Sequence, residues 1–357
     1  VGAVTMLTGI VIFIESNLSM LTAGLLTRDL FDKFKMSRAR LAFIIDSTSA
    51  PICILILLNG WGAYVLGLLN NYELGQSSMS VLWGTIPYNF YAIIAILMVA
   101  YTVITDKTYG PMKRSELMLN QQDFTDKDYL KEEAIKPTKA RFMLVPLLSM
   151  ICSMFFFMFW TGNGDITQGS GSKSVLYATC LALVIAYLLL LTSKRYSHQE
   201  LVKVGFEGLS ELLPLVTIVL FSLALGASLK ELGTGLYIAS FVGDNLPLIL
   251  IVPMLFVVGG IISFSTGTSW GTFAILIPIG VPLIQALGLP PSLVIAAILG
   301  GGIFGDHCSP ISDTTCVSAI ASGCDLLEHV KTQLPYSIFG GVLAFIAYFI
   351  ASYLMVG

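Results

Sequence analysis

Long apolar stretches alternate with short polar ones along the whole chain. The apolar runs occupy about 1–26, 41–69, 81–105, 142–160, 174–193, 209–228, 246–284, 292–320 and 336–356. A helix of ~20 apolar residues spans ~30 Å of hydrocarbon, so each run reads as a membrane segment. The longer ones are expected to contain breaks or re-entrant turns. In lipid every backbone N–H and C=O must be paired within the protein, which leaves a helical bundle as the expected architecture.

Composition sharpens this reading. Of 357 residues, 55% are hydrophobic and only 11% charged, against ~25% charged in soluble domains. The mean hydropathy is +0.84. With 19 Lys and Arg and a net charge of -3, the chain lacks the basic footprint that nucleic-acid binding needs. Six cysteines, at positions 53, 152, 180, 308, 316 and 324, contain no C-x-x-C pair. They read as small core hydrophobes rather than zinc ligands or a disulfide framework. The chain starts inside an apolar run without an initiator Met, so helices upstream of residue 1 are expected.

Basic residues set the orientation. Loops 27–40, 106–141 and 194–208 are rich in Lys and Arg, whereas 70–80 has none and 161–173 has only Lys173. The three basic loops are therefore assigned to the cytoplasm. Parity is open between 229 and 290. Segment 106–141 carries 15 of the 41 charged residues and reads as a solvated cytoplasmic connector with no enzyme motif.

The acidic residues singled out inside the apolar segments are Glu15, Asp46, Asp306 and Asp313, with Asp244 in the uncertain stretch. No Lys or Arg lies between Glu231 and Val330. A carboxylate at mid-membrane costs ~2.5–3.5 kcal/mol or more and is by default a functional candidate. Without a basic partner it takes up a proton or binds a metal cation. A site where H⁺ and Na⁺ compete for one carboxylate is the minimum for exchange. A permanently protonated, hydrogen-bonded structural Asp is the bland alternative.

The polar neighbours of these acids form three clusters. Asp46-Ser47-Thr48-Ser49-Ala50-Pro51 interrupts an apolar run and predicts a helix break. Asp306-His307-Cys308-Ser309-Pro310 follows Gly300-Gly301-Gly302 and Gly305 and leads to Asp313-Thr314-Thr315. There Ser309 reads as an N-cap, Pro310 as the first helical residue and Gly305–Cys308 as unwound chain. Unwound backbone at membrane depth survives where it lines a wet cavity, and its carbonyls with hydroxyls and a carboxylate suit Na⁺. The third cluster, Ser263–Thr272, predicts the tip of a re-entrant hairpin, with Ser265, Thr266, Thr268 and Ser269 along the pathway. Ser/Thr packing between helices is its plainer reading. Glu15-Ser16-Asn17-Leu18-Ser19 has a similar look, and the two halves follow one grammar in which Ser19 pairs with Ser269 and Asp46 with Asp306. Interrupted segments at corresponding places in two halves point to a secondary-transporter site. The predicted organisation is a single transporter domain with repeat-like halves at about 1–105 and 209–357.

The run Gly305–Thr315 and the run Ser263–Thr272 resemble signatures of the NhaC-type sodium/proton antiporter family. So do Ser37–Ala42, Asp46–Pro51 and His329–Tyr336. The resemblance covers nearly the whole chain. It implies an ion-transporter fold of inverted repeats, broken helices and re-entrant hairpins in the cell membrane, and exchange of Na⁺ for H⁺ without a cofactor. Relatives that exchange organic acids make a Na⁺- or H⁺-coupled malate- or lactate-like exchanger the alternative.

On this reading Asp46 and Asp306 face each other across the repeat interface and Asp313 is a co-ligand. Ser47, Thr48, Ser49, Ser309, Thr314 and Thr315 supply oxygens for Na⁺. Glu15 and Asn17 belong with the hairpin residues along the pathway. His307 is either a pH sensor or a hydrogen-bonded spacer. The expected partners are the lipid bilayer, Na⁺ and protons, with an organic acid and homo-oligomerisation left open. An intramembrane hydrolase using Asp306, His307 and Cys308 or Ser309 is disfavoured, because adjacent residues seldom converge as nucleophile, base and orienter.

Overall fold

A computed structural model describes residues 1–119, 139, 141–164, 169–233, 237, 240 and 246–356. Asp244 and most of the 106–141 connector lie outside the described residues. The described chain is all helix and turn, with no strand. Seven of its helical stretches are long and apolar enough to cross a membrane, eight if one bent pair counts as a single span. The protein is a multi-pass, all-α membrane protein.

The chain forms two units by internal contact. The smaller, Asp126–Phe221, contains α8 (Arg141–Thr161) and α9 (Gly171–Thr192) packed side by side. Ser174 and Thr161 are 3.2 Å apart there, and Phe157 packs against Tyr177. Helix α10 (His198–Glu231) begins at a capping box in which Ser197 and Glu200 bond reciprocally.

The larger unit, Val1–Thr125 with Ser222–Gly357, carries every candidate site residue. Helices α1 (Gly2–Val11) and α2 (Ser16–Lys33) are followed by α3 (Arg38–Leu55) and α4 (Gly60–Leu69). Helix α5 (Ser78–Gly84) then leads to α6 (Phe90–Thr105) and α7 (Gly110–Leu119). In the later half, α11 (Leu248–Thr266), α12 (Ser269–Leu287), α13 (Pro291–Cys308), α14 (Asp313–Ser322) and α15 (Leu326–Val356) repeat that order.

The repetition has an exact register. Arg38–Leu55 recurs as Pro291–Cys308 and Gly60–Leu69 as Asp313–Ser322, all at an offset of 253 residues. The caps recur at the same offset: Glu15 and Thr268 accept from the third N–H beyond them, and so do Asn59 and Ser312. The two copies are inverted. Arg38, just after the α2–α3 turn, donates to Gly323 O at the end of α14, on the side of the basic loops. Residues beside the α12–α13 turn instead reach the 70–81 region, with Gln285 bonded to Glu73 O and Ser292 to Val81 O. That contact places 288–290 at the end opposite the Arg-rich turn.

The register corrects the pairing expected from the sequence. Asp306 corresponds to Cys53, Asp46 to Leu299 and Ser269 to Ser16. The hydroxyl stretch Ser47-Thr48-Ser49 matches Gly300-Gly301-Gly302. Both triplets sit where a hairpin helix crosses closely. A Cβ on Gly9 of α1 would collide with Thr48, and one on Gly301 would collide with Phe256 O of α11. One half makes the crossing with small residues on α1 and the other with glycines on α13.

Two predicted breaks move. Helix α3 runs unbroken through Asp46–Pro51, and its partner α4 begins only after a bend of 46° at Ile56–Asn59. Sixteen of the eighteen α3 residues are buried. In such surroundings the helix keeps its hydrogen bonds, and Pro51 removes a single one, freeing Ser47 O. Helix α13 likewise continues through Gly305–Cys308, because Gly305 packs against Gly260 O of α11 with no room for a side chain. The break falls at Ser309–Ser312. Ser312, not Ser309, caps α14 by accepting from Thr315 N, and Asp313 occupies the first turn, where a carboxylate favours the helix dipole. The hairpin tip at Gly267-Thr268 forms where the sequence placed it. Gly267 has φ +68° and lies against Ile311 O, a conformation and a contact that leave no space for a Cβ.

Candidate functional site

Helix α14 of the later half packs between α2 and α3 of the earlier one, so its N-terminal break lies deep in the unit. Gly24 of α2 meets the Ala321 backbone so closely that only glycine fits. Reciprocally, Trp61 and Tyr64 of α4 pack on Trp270 of α12, and the Tyr64 hydroxyl donates to Trp270 O at 2.9 Å. Each half-helix is thus anchored in the opposite repeat.

Asp46 is fully buried at the middle of α3. Gln333 Nε2 on α15 donates to its Oδ2 at 2.6 Å, and His329 Nε2 lies 3.4 Å from the same oxygen. Ser318 Oγ is 2.9 Å from His329 Nε2. Ser318 Oγ also donates to Thr315 O at 3.0 Å. Asp46 Oδ1 has no hydrogen-bond partner among the described residues.

Asp306 is also fully buried, on the last turn of α13. Ser312 Oγ donates to its Oδ1 at 2.8 Å, while Oδ2 is unpartnered among the described residues. Ser269, at the start of α12, lies beside this carboxyl group with its own hydroxyl unpaired. Thr315 Oγ1 donates to Asp306 O at 3.3 Å, and Thr314 Oγ1 sits 3.0 Å from Ser312 Oγ. Ser309 ties the break to the hairpin by donating to Phe264 O at 2.8 Å. Among the described residues no Lys or Arg makes an ion pair with either carboxylate. Arg40 is spent at the rim on Asp106, Glu116 and Thr102 O.

Other expected residues take different places. Asp313 is exposed and accepts from Thr314 N at 2.8 Å. Glu15 caps α2 by accepting from Leu18 N, and Asn17 Oδ1 has no partner among the described residues. Thr48 and Ser49 donate to Ile44 O and Ile45 O of their own helix, and Ser49 also reaches Ser19. Ser265 and Thr266 do the same to Ile261 O and Ile262 O and are exposed, while Thr268 caps α12. His307 is buried, with Tyr91 OH 3.0 Å from Nδ1 and Gln333 Nε2 on its backbone oxygen. Asp46, Asp306 and Asp313 do not close on one point, and no group of three His, Cys, Asp or Glu with metal-site geometry occurs among the described residues.

His329, Gln333, Ser312, Ser318 and Tyr91 were not singled out as site residues from the sequence. His329 and Gln333 carried a readable signal. They stand four apart, on one helix face, with the apolar stretch of α15 beyond them.

Two inverted repeats, each with a hairpin and a broken helix, enclosing unpaired carboxylates, are the architecture of a secondary transporter. The profile of the Na+/H+ antiporter family matches residues 52–353. The chain belongs to that family. It is a secondary antiporter of the membrane, in a family of transporters rather than enzymes. A Haemophilus influenzae protein described only as uncharacterized is 31% identical over 364 residues, covering 96% of this chain and 69% of that one. The Bacillus subtilis malate-2H(+)/Na(+)-lactate antiporter is 32% identical over 166 residues, 45% of this chain and 35% of its own. The Na(+)/H(+) antiporter NhaC of Alkalihalophilus pseudofirmus is 38% identical over 77 residues, 21% of this chain and 16% of its own. Among solved structures, Neisseria gonorrhoeae MtrF, described as one of a class of antimetabolite efflux pumps, superposes with a TM-score of 0.54 at 14% identity. That superposition covers 96% of this antiporter and 75% of MtrF. At that identity the likeness extends to the fold.

Proposed function

We propose that this antiporter exchanges Na⁺ for H⁺ across the cell membrane by alternating access at Asp46 and Asp306. The observation that carries the reading is a set of buried oxygens without partners among the described residues: Asp46 Oδ1, Asp306 Oδ2 and Ser269 Oγ. A buried acceptor left unpaired costs ~1–3 kcal/mol, more when charged. Free buried acceptors on both acids, with no neighbouring Lys or Arg, suit a desolvated cation. Na⁺ takes such hard oxygen donors, and the same carboxylates take protons when Na⁺ leaves. The two acids sit in oppositely oriented repeats, so rocking one repeat against the other exposes the site to each side in turn.

Coupling to an organic acid is the second reading, and the likeness to the malate-2H(+)/Na(+)-lactate antiporter favours it. The N-termini of α4 and α14 would then meet the anion. The test is the purified protein in liposomes carrying a pH-sensitive dye. Na⁺ added outside alone should alkalinise the lumen, because Na⁺ that enters is exchanged for H⁺ that leaves. A response only when malate or lactate is also present would transfer the function to the second reading, and no response under either condition would end both.

A further inference from the structure

Gln333 does more at this site than fill space. Its one amide nitrogen donates twice, to Asp46 Oδ2 on α3 at 2.6 Å and to His307 O on α13 at 3.1 Å. Those two helices belong to opposite repeats, and α13 carries Asp306 one residue before His307. The amide therefore spans the repeat interface and fixes one acid relative to the other. Gln333 also holds Asp46 Oδ2, with His329 Nε2 3.4 Å from the same oxygen, and Oδ1 is left without a partner among the described residues. A carboxylate pinned through one oxygen presents a defined monodentate ligand. An unpinned one rotates and loses order when it binds.

We propose that Gln333 is a positioning residue that sets cation affinity and selectivity: it holds Asp46 in a one-oxygen presentation and at a fixed distance from Asp306. The proposal rests on the Na⁺/H⁺ reading above. A hydrogen bond to a charged group contributes ~1.5–3 kcal/mol, so its loss should be legible in the ion's half-saturation. Gln333→Met keeps the length and apolar volume of the side chain and removes its donors.

In proteoliposomes of the full chain, the Met variant is expected to raise half-saturating Na⁺ about tenfold, equivalent to ~1.4 kcal/mol. The ratio of Li⁺ to Na⁺ half-saturation should shift as well, with the maximal rate within about threefold of wild type. Purely structural loss would lower the rate and leave half-saturation and the ion ratio alone, and that result overturns the proposal. If the Met variant is not monodisperse in detergent, Gln333→Leu replaces it. Failure of both to fold assigns Gln333 to packing and likewise overturns the proposal. A wild type without Na⁺-driven proton movement defeats the exchange reading itself. A wild type that exchanges, beside a Met variant with unaltered half-saturation, defeats only the role of Gln333.

Discussion

Replacing Asp46 by Asn is the sharpest perturbation the site offers. The substitution keeps shape and removes one charge at a position with no solvent exposure. The Asn carbonyl oxygen can still accept from Gln333, so the clamp to α15 survives. Its amide nitrogen then occupies the place of Asp46 Oδ1, turning an acceptor aimed at the cation into a donor. At an effective dielectric of ~20, two unit charges ~4 Å apart attract by ~4 kcal/mol. Losing that attraction corresponds to roughly a thousandfold in affinity, at 1.4 kcal/mol per decade. The expected result is no measurable Na⁺-dependent pH change in proteoliposomes at Na⁺ concentrations that saturate wild type. Thermal unfolding in detergent should change little, because removing a buried charge relieves a desolvation cost. An Asn variant within threefold of the wild-type half-saturation and rate would refute Asp46 as a cation ligand. Asp313→Asn is the control. Asp313 is exposed and engaged with Thr314 N, so its variant should stay within about threefold of wild type.

Three further outcomes follow from particular contacts. Ser312→Ala removes the α14 cap, at ~0.5–2 kcal/mol, and the bond to Asp306 Oδ1; Na⁺ half-saturation should rise and the melting temperature fall together. Gly305→Ala forces a methyl onto Gly260 O at the α11–α13 crossing; overpacking of ~1–3 kcal/mol should appear as a lowered melting temperature in detergent. Ser197 N–H and hydroxyl donors hold the exposed Glu200 carboxyl below its ordinary range. Its contribution to the start of α10 is present above the ordinary carboxylate value and lost as pH falls through the lowered one. Protection factors of the amides around 197–201, corrected for the intrinsic pH dependence of exchange, should therefore fall below about pH 4 and stay constant between pH 6 and 8.

The hydrophobic pattern by itself determined that the chain is a bundle of membrane helices. Charge bias led to the expectation that the basic α2–α3 turn is cytoplasmic, and the scarcity of intramembrane acids pointed to Asp46 and Asp306. Those features are local: segment length, loop charge and a carboxylate in an apolar run can each be read without knowing any neighbour. The hairpin tip was legible for the same reason, since Gly267 and a capping Thr268 break a helix wherever they stand.

Tertiary structure decided the rest, because the same residues behave differently once packed. The string Asp46–Pro51 looks like a break, yet burial against α1 makes the continuous helix the only way to keep its backbone groups paired. Ser309 looks like a cap, but a contact with Phe264 O claims it and Ser312 takes the role. The true repeat register, 253 residues, is carried by helix ends and caps rather than by matching side chains. Asp306 therefore answers to Cys53, and the two acids occupy different depths in their repeats. Above all, His329 and Gln333 become site residues only because α15 lies against α3, and a contact across 287 positions of sequence leaves no trace in local pattern.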